Sequence, residues 1–230
     1  MISVVVPVGP RLHHQTWLGK CIDSVLSQCK NDDELVLIDD MAALDINALR
    51  DKRITIWRSP WLLGCAAGWN IGISIAKNKL CLMMAADDWL EANCLSILAD
   101  TWRKYTDVLG YYHLTIKYVA EPGASFNWPA LQDLPCNAAM VHKELWWHTG
   151  GFPLCAGVGA PDALFISVLL KYGAKAGNLI PVAKGTPLYN VRVHPNQETS
   201  NSGGYWNDII SIRDKYTANW RPIDWQRVNP

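Results

Sequence analysis

The sequence predicts an α/β domain in which helices flank a mostly parallel central sheet. Three observations lead to this prediction. The first half of the 230-residue chain alternates between short apolar runs and segments of helical period. The links between them are short, as in parallel strands joined by right-handed crossovers. Half of the residues are hydrophobic and 18% are charged, a composition that supports a buried core and excludes global disorder.

Apolar runs in the first half predict four buried strands. They are expected at residues 2–8, 34–38, 54–57 and 80–85. A helix is expected after the first strand, because apolar residues recur there at helical spacing at Trp17, Cys21, Val25 and Leu26. Further helices are expected at 66–76 and 90–105. This order predicts a parallel sheet with crossover helices.

The second half has a looser pattern. Residues 111–119 alternate like a strand with one solvent-facing side, and residues 136–141 predict another strand. Between them, residues 121–135 contain three prolines and predict a long loop. A helix is expected at 161–172 with Pro161 in its first turn, followed by an extended segment at 179–193.

Charge, cysteine content and hydropathy exclude several classes of protein. A formal net charge of zero argues against binding nucleic acid through bulk positive charge. The cysteines number seven, an odd count with no C-x-x-C pair, which favours reduced thiols over zinc sites or disulfides. No apolar run approaches the roughly 18 residues needed to cross a bilayer. We therefore expect a soluble, cytoplasmic protein.

Two acidic pairs stand directly after predicted strands. Asp39-Asp40 follows the second strand and Asp87-Asp88 follows the fourth. Ligands of open parallel sheets bind outside the carboxyl ends of the strands, so both pairs are expected to border one crevice. Carboxylates there can hold a divalent cation that binds phosphate, or accept hydrogen bonds from ribose or base. The alternative, turn or helix-cap residues, is weaker for two pairs than for one.

Six short motifs occur in a fixed order over residues 2–172. They lie at residues 3–8, 21–28, 35–40, 64–76, 86–88 and 150–152. In order and spacing they resemble the family 2 glycosyltransferases, inverting enzymes with the GT-A fold. The resemblance implies a Rossmann-like sheet with a C-terminal extension on the acceptor side. It divides the chain into a donor half at 1–110, an acceptor and catalytic half at 111–195, and a tail at 196–230.

The resemblance also implies a role for individual residues. Those expected to contact the nucleotide-sugar donor are Pro7, Val8, Gly9, Asp39, Asp40, Trp69, Asn70, Asp87 and Arg192. Asp88 and His194 are expected to bind Mn²⁺ or Mg²⁺, which would stabilise charge developing on the diphosphate. Ala85 departs from the family pattern where an aspartate is common, and Trp69 departs where an arginine is frequent.

A general base is also required for inverting transfer, because the acceptor hydroxyl must lose its proton. The resemblance assigns this role to Asp162, although Pro161 replaces the glutamate that usually precedes it. The alternative is a carboxylate that only favours the helix dipole in the first turn.

The resulting functional prediction is metal-dependent transfer of a single sugar, with a UDP-sugar as donor. The acceptor is left open among a glycan, a lipid-linked saccharide, a protein and a modified nucleic acid. The chain has 12 tryptophans against three phenylalanines, and Trp128, Trp146 and Trp147 are expected near the acceptor, where indole faces can stack on sugars. A non-catalytic nucleotide-sugar-binding module is one alternative, favoured by the family departures. A nucleotidyltransferase is another, disfavoured by the sparse loop after the first strand.

Overall fold

The computed structural model describes residues 1–30, 32–106, 109–124, 131–132, 138–154, 165–166, 168–169 and 179–196. Its strands are β1 (Ile2–Val8), β2 (Glu34–Asp39), β3 (Ile54–Arg58), β4 (Leu80–Met83), β5 (Trp89–Leu90), β6 (Tyr111–Ala120), β7 (Leu131–Gln132), β8 (Ala139–His142) and β9 (Leu179–Val193). Its helices are α1 (Leu12–Leu26), α2 (Cys65–Ile75), α3 (Cys94–Arg103) and α4 (Lys143–Thr149).

All described strands belong to one mixed sheet with the order β3-β2-β1-β4-β8-β6-β9-β5, and β7 pairs with β6 off this path. The first four strands are parallel to one another, as predicted. β8 then runs antiparallel to both β4 and β6, whereas β9 is parallel to β6. The predicted α/β class is therefore confirmed, with the antiparallel pairs confined to the second half and to the short β5.

Helices cover both faces of the sheet. On one face, α1 and α3 belong to the same core cluster as alternate residues of β1, including Val4 and Val6; α1 contacts β1 and α3 contacts β9. On the other face, α2 and α4 pack in a second core cluster that contains Val5. Because successive side chains of a strand point to opposite faces, a strand covered on both sides must be apolar throughout. This explains the apolar run at residues 4–8; the buried Ser3 before it donates a hydrogen bond to Glu34.

The glycines of α2 allow that helix to lie directly on the sheet. A Cβ atom at Gly72 would lie 2.1 Å from Val5 Cγ1, and one at Gly68 would lie 2.7 Å from Pro7 Cβ. Both distances are far below ordinary van der Waals contact. The glycine-rich motif at residues 64–76 is thus a packing requirement.

Two predicted elements differ in the structure. The helix expected from residue 90 begins at Cys94, because Trp89 and Leu90 form β5 by pairing with Asn190 and Tyr189 of β9. The strand expected to have one wet side is buried on both sides over its first six residues, because β6 lies between β8 and β9 beneath packed side chains.

Other elements were missed or lie beyond the described residues. The short helix α4 was not predicted, and β7 lies inside the segment expected to be a loop. Of the helix expected at 161–172, the described residues 165, 166, 168 and 169 are helical. In the described part of the chain, no helix is long and apolar enough to cross a membrane.

Candidate active site

The two acidic pairs lie at the same edge of the sheet. β1 lies between β2 and β4, and Val8 of β1 is in register with Asp39. The amide of Asp40 donates to the Val8 carbonyl at 2.9 Å, while that of Met84, just after β4, donates to the Val5 carbonyl at 3.1 Å. The carboxyl ends of three neighbouring strands, including Gly9, therefore form one edge, where open α/β sheets bind ligands.

Asp39 organises the loop that follows β2. One carboxylate oxygen accepts a hydrogen bond from the Ala43 amide, and the other accepts from the Leu44 amide, each at 3.0 Å. The second oxygen also accepts from Arg58 Nε at 2.9 Å. The side chain is buried, so the ion pair with Arg58 balances its charge. Asp39 thus holds the loop after β2 in place at this edge, a role the sequence did not predict.

Asp40 anchors a second loop beside the first. Its two carboxylate oxygens accept hydrogen bonds from the amides of Leu63 at 2.6 Å and Gly64 at 2.9 Å. Gly64 is the residue before α2, and its φ of 80° lies in the left-handed region that favours glycine. Asp40 therefore joins the end of β2 to the start of α2. Donor contact by Asp39 and Asp40 remains a prediction.

Asp87 and His194 form a close pair at the end of β4. Asp87 Oδ2 lies 3.1 Å from His194 Nε2, and the Asp87 side chain is 13% exposed. Burial works against the charged form of Asp87, but the hydrogen bond with His194 and the charge of His14 outweigh it, so the pKa of Asp87 is lowered. Asp87 is thus a carboxylate held in its charged form beside an imidazole.

Asp88 has different surroundings although it is the next residue. Its carboxylate accepts hydrogen bonds from the Tyr189 hydroxyl at 2.8 Å and from the Arg192 amide at 2.9 Å, and it is buried. Burial and the neighbouring charge of Asp87 raise the pKa of Asp88 well above its usual value. The Tyr189 hydroxyl also accepts from the Ala85 amide at 3.0 Å. Asp88 therefore ties the acidic motif to β9, and its expected role as a metal ligand remains a prediction.

The Asp87–His194 pair matches the ligand chemistry of a divalent cation. Among the described residues, no three His, Cys, Asp or Glu side chains are grouped so that they could hold a metal ion. Mg²⁺ uses one or two protein carboxylates and takes its other ligands from phosphate and water, and imidazole nitrogen suits several transition metals. One carboxylate and one imidazole fit a cation whose coordination is completed by a diphosphate.

Arg192 is buried between two tryptophans rather than open to a ligand. Its Nε donates to the Asp87 carbonyl at 2.9 Å, and its guanidinium forms an ion pair with Glu121. The guanidinium carbon lies 4.7 Å from the ring centroid of Trp17 and 4.8 Å from that of Trp89. The side chain is 7% exposed. These contacts are all within the chain, and donor binding by Arg192 remains a prediction.

Trp69 is buried in the domain interior, and the next residue, Asn70, is half-buried. Trp69 is 2% exposed and packs against Phe152, with ring centroids 5.3 Å apart. Asn70 clamps the turn after α4: its Oδ1 accepts from the Phe152 amide at 2.8 Å and from Trp146 Nε1 at 3.0 Å, and its Nδ2 donates to the Phe152 carbonyl at 2.8 Å. These contacts of both side chains are with other parts of the chain, and donor contact by Trp69 and Asn70 remains a prediction.

The clamp explains why two distant motifs accompany each other. Gly151 has a φ of 77°, and a Cβ atom there would lie 2.6 Å from Asn70 Oδ1 and 2.9 Å from Trp146 Nε1. Only a glycine leaves room for the Asn70 side chain to reach the Phe152 backbone. The motif at 150–152 is therefore the partner of Asn70.

Replacing Asn70 by Ala is expected to lower the free energy of unfolding by about 2–4 kcal/mol, because the change leaves three polar groups of Trp146 and Phe152 without their partner. Urea unfolding monitored by tryptophan fluorescence measures the loss. Asn47→Ala is the matched control, since exposed Asn47 accepts only an Arg50 hydrogen bond among its described contacts, at 2.6 Å. Equal losses in the two variants would contradict the clamp.

Several residues at the edge were missed or stand elsewhere. His14, which the sequence did not place at this edge, lies in α1 with Nδ1 3.3 Å from the Gly9 carbonyl oxygen. Its place one turn into the helix after β1 is the signal that could have identified it. Trp146, expected near an acceptor, is 6% exposed in the core. Asp162 and Trp128 lie outside the described residues.

A cavity of about 420 Å³ lies away from this edge. It is lined by Cys29, Lys30 and residues 50–53. Lys30 precedes β2 and residues 50–53 precede β3, so the cavity is at the amino end of the parallel strands. Ligand binding in open α/β sheets occurs at the other end. This cavity is therefore separate from the acidic edge.

Comparison with known proteins identifies sequence relatives. The sequence model of "Glycosyl transferase family 2" matches residues 3–128, more than half of the chain. Glycosyltransferase GlyG of Streptococcus pneumoniae serotype 4 is 28% identical over 104 residues, and an uncharacterized glycosyltransferase of Rickettsia felis is 35% identical over 92 residues. These alignments cover 43% and 38% of this chain but only 34% and 15% of the relatives.

Solved structures share the fold. The crystal structure of S. aureus TarS 1-349 in complex with UDP-GlcNAc superposes with a TM-score of 0.69 at 15% identity, covering 87% of this chain and 60% of that one. The complex of the same protein with UDP gives a TM-score of 0.65 at 16% identity, covering 84% and 61%. At this identity the likeness establishes a common GT-A architecture.

Proposed function

Because this chain belongs to glycosyl transferase family 2, we propose that it transfers a single sugar from a nucleotide-sugar donor to an acceptor hydroxyl group, with inversion at the anomeric carbon. A UDP-sugar is the proposed donor, since the TarS crystal structures of the same fold are complexes with UDP-GlcNAc and with UDP. The observation that carries the proposal is the Asp87–His194 pair, 3.1 Å apart at the carboxyl end of β4.

The nucleotide is proposed to bind at the ends of β1 and β2. The backbone of Pro7, Val8 and Gly9 would form the floor, and the loops anchored by Asp39 and Asp40 would form the wall. Both carboxylates hold their loops through backbone amides, so the wall is organised before a ligand arrives. A preorganised wall lowers the entropic cost of binding.

Asp87 and His194 are the residues that would hold Mn²⁺ or Mg²⁺. A bound divalent cation would act as a Lewis acid and stabilise the charge that develops on the departing nucleoside diphosphate. The lowered pKa of Asp87 keeps its carboxylate charged at neutral pH, as a cation ligand must be. Asp88 stabilises this arrangement by accepting hydrogen bonds from the Tyr189 hydroxyl and the Arg192 amide.

Asp162 is the proposed general base. Its carboxylate would accept the proton of the acceptor hydroxyl as that oxygen attacks the anomeric carbon from the face opposite the leaving diphosphate. The acceptor is proposed to be a glycan, a lipid-linked saccharide, a protein or a modified nucleic acid. The alignments span 34% and 15% of the length of the two relatives. The proposed activity therefore concerns only the domain that contains the acidic edge.

A thermal-shift screen of nucleotide sugars with and without Mn²⁺ tests the proposal. A ligand at 100 times its Kd stabilises the native state by about 2.7 kcal/mol, which corresponds to roughly 5–10 °C in Tm for a domain of this size. We expect a UDP-sugar to give this shift only in the presence of Mn²⁺, with ATP as the control. Release of UDP is then measured over a panel of acceptors and with water.

Two outcomes would contradict the proposal. If none of the nucleotide sugars stabilises the chain with Mn²⁺, the donor assignment fails. If a UDP-sugar binds tightly and no UDP is released with any acceptor or with water, the chain is a nucleotide-sugar-binding module instead of a transferase.

A further inference from the structure

We propose that Arg192 is a positioning residue that holds the Asp87–His194 pair with the help of an ion pair to the partly exposed Glu121, and that it does not bind the donor phosphates. The inference rests on the proposed function for the role of that pair. The geometry of the network itself stands on contacts within the chain.

Arg192 contacts both acidic residues at once. Its Nε donates to the Asp87 carbonyl, and its amide donates to the Asp88 carboxylate, both at 2.9 Å. His194 lies two residues further along and reaches Asp87 Oδ2 with Nε2. One short segment of β9 and its end therefore sets the position of the acidic motif by three separate hydrogen bonds.

The guanidinium of Arg192 is held between two indole rings. Trp17 of α1 and Trp89 of β5 lie on it at 4.7 and 4.8 Å from its carbon to their ring centroids. Arginine is favoured in such stacks because its guanidinium is planar and weakly hydrated. Trp17 also contacts the His194 ring, with centroids 4.5 Å apart. The same indole thus restrains both the arginine and the imidazole.

Glu121 balances the buried charge. The Arg192 side chain is 7% exposed, and a buried guanidinium without a counter-ion is strongly unfavourable. Glu121 is also fixed by its backbone, because its amide donates to the Val193 carbonyl at 2.9 Å. It follows β6 directly and begins the segment at 121–135. The ion pair therefore joins the start of that segment to the Asp87–His194 pair.

These contacts leave Arg192 poorly placed for a phosphate. Its guanidinium faces Glu121, the Asp87 carbonyl and the two indoles, so an incoming diphosphate would have to compete with a carboxylate already in place. A phosphate-binding arginine and a positioning arginine predict different losses. Replacing a phosphate-binding arginine weakens UDP binding. Replacing a positioning arginine weakens cation binding even without a nucleotide.

The experiment measures Mn²⁺ binding to the nucleotide-free chain by electron paramagnetic resonance. Loss of a group that orients a metal ligand costs about 10–100-fold in metal affinity. We expect this loss in Arg192→Gln and in Glu121→Gln, with the double variant no weaker than the weaker single variant, because the two residues act as one unit. The matched control is Arg103→Gln, which removes an exposed ion pair with Asp100.

A second measurement, nuclear magnetic resonance of His194, needs no metal. It uses the conservative variant Arg192→Lys in case Arg192→Gln folds poorly. Arg192→Lys keeps the positive charge and loses the bond to the Asp87 carbonyl. The side-chain ¹H–¹⁵N resonances of His194 are expected to shift in this variant and in Glu121→Gln, and to stay in place in Arg103→Gln. Unchanged His194 resonances would overturn the proposal even if the chain transfers sugar.

Two further results separate the proposals. If Arg192→Gln keeps its Mn²⁺ affinity and loses affinity for UDP but not for uridine, Arg192 binds phosphate and the positioning role is wrong. If the unmodified chain binds no Mn²⁺ even in the presence of UDP, the metal-dependent function fails, and the His194 resonances then remain as the test of the positioning role.

Discussion

Replacing Asp87 by Asn is expected to lower kcat/KM for Mn²⁺-dependent release of UDP by on the order of 100-fold or more, while the free energy of unfolding changes by less than about 1 kcal/mol. The amide removes the negative charge proposed to hold the cation. It also remains a hydrogen-bonding partner of the His194 ring, and the side chain is partly exposed, so the cost to the fold is small. Turnover, Mn²⁺ affinity and urea unfolding are measured on the same preparation.

Asp88→Asn is the matched variant at the next position. Both Asp88 oxygens accept hydrogen bonds inside the protein, from the Tyr189 hydroxyl and the Arg192 amide. An asparagine presents one donor where a second acceptor is needed, which is expected to cost about 1–3 kcal/mol of stability. The opposite pattern would return the metal role to Asp88: Asp88→Asn stable but inactive, and Asp87→Asn active.

Gly72→Ala is expected to lower the free energy of unfolding by about 3 kcal/mol, which is a fall of roughly 6–12 °C in Tm. The new Cβ atom would lie 2.1 Å from Val5 Cγ1 and 3.4 Å from Ile38 Cγ1. Both neighbours are buried in central strands and have no room to retreat, so α2 must move away from β1. Thermal and urea unfolding of the purified variant measure the effect.

Gly19→Ala is the control, since it makes the same chemical change in the interior of another helix. Gly19 of α1 is exposed, and an added Cβ atom there has no neighbour within 4 Å. Alanine is expected to stabilise this position by about 0.5–1 kcal/mol, because it restricts the unfolded chain more than glycine does. A Gly72→Ala variant as stable as Gly19→Ala would show that α2 does not need its close approach to β1.

The strands and helices of the first half could be predicted from the local pattern of apolar residues. A strand covered on both faces is apolar without interruption, and a helix between two such strands has a period of its own. Residues 4–8 and 35–38 satisfy this condition, and both lie in strands. The second half was less readable, because β5 exists only through its pairing with β9, about 100 residues later.

For the candidate site, too, the sequence predicted some features and not others. Strand ends followed by Asp39-Asp40 and Asp87-Asp88 were enough to place both acidic pairs at one edge. The packing roles of Trp69 and Asn70 were not predicted, because a motif does not say which other part of the chain its side chains contact. The Asn70 contact with Phe152 spans 82 residues, and no local period encodes it.

The tryptophans illustrate the limit of composition. Twelve of them suggested surfaces for stacking on sugars. Trp69 and Trp146 are core residues, whereas Trp17 and Trp89 enclose the Arg192 guanidinium. The amino-acid type specifies a large polarisable face, and the surroundings decide whether that face meets the core, a cation or a ligand.

By itself, the sequence determined the α/β class, the parallel first half and the edge at which the acidic pairs lie, because these follow from short-range periodicity and from where each strand ends. The different surroundings of Asp87 and Asp88 follow from the tertiary structure alone. The two neighbours have the same side chain, and β9 distinguishes them by burying one carboxylate against Tyr189 and leaving the other beside His194. That difference depends on residues more than 100 positions away, and burial and hydrogen bonding set the chemistry of a carboxylate.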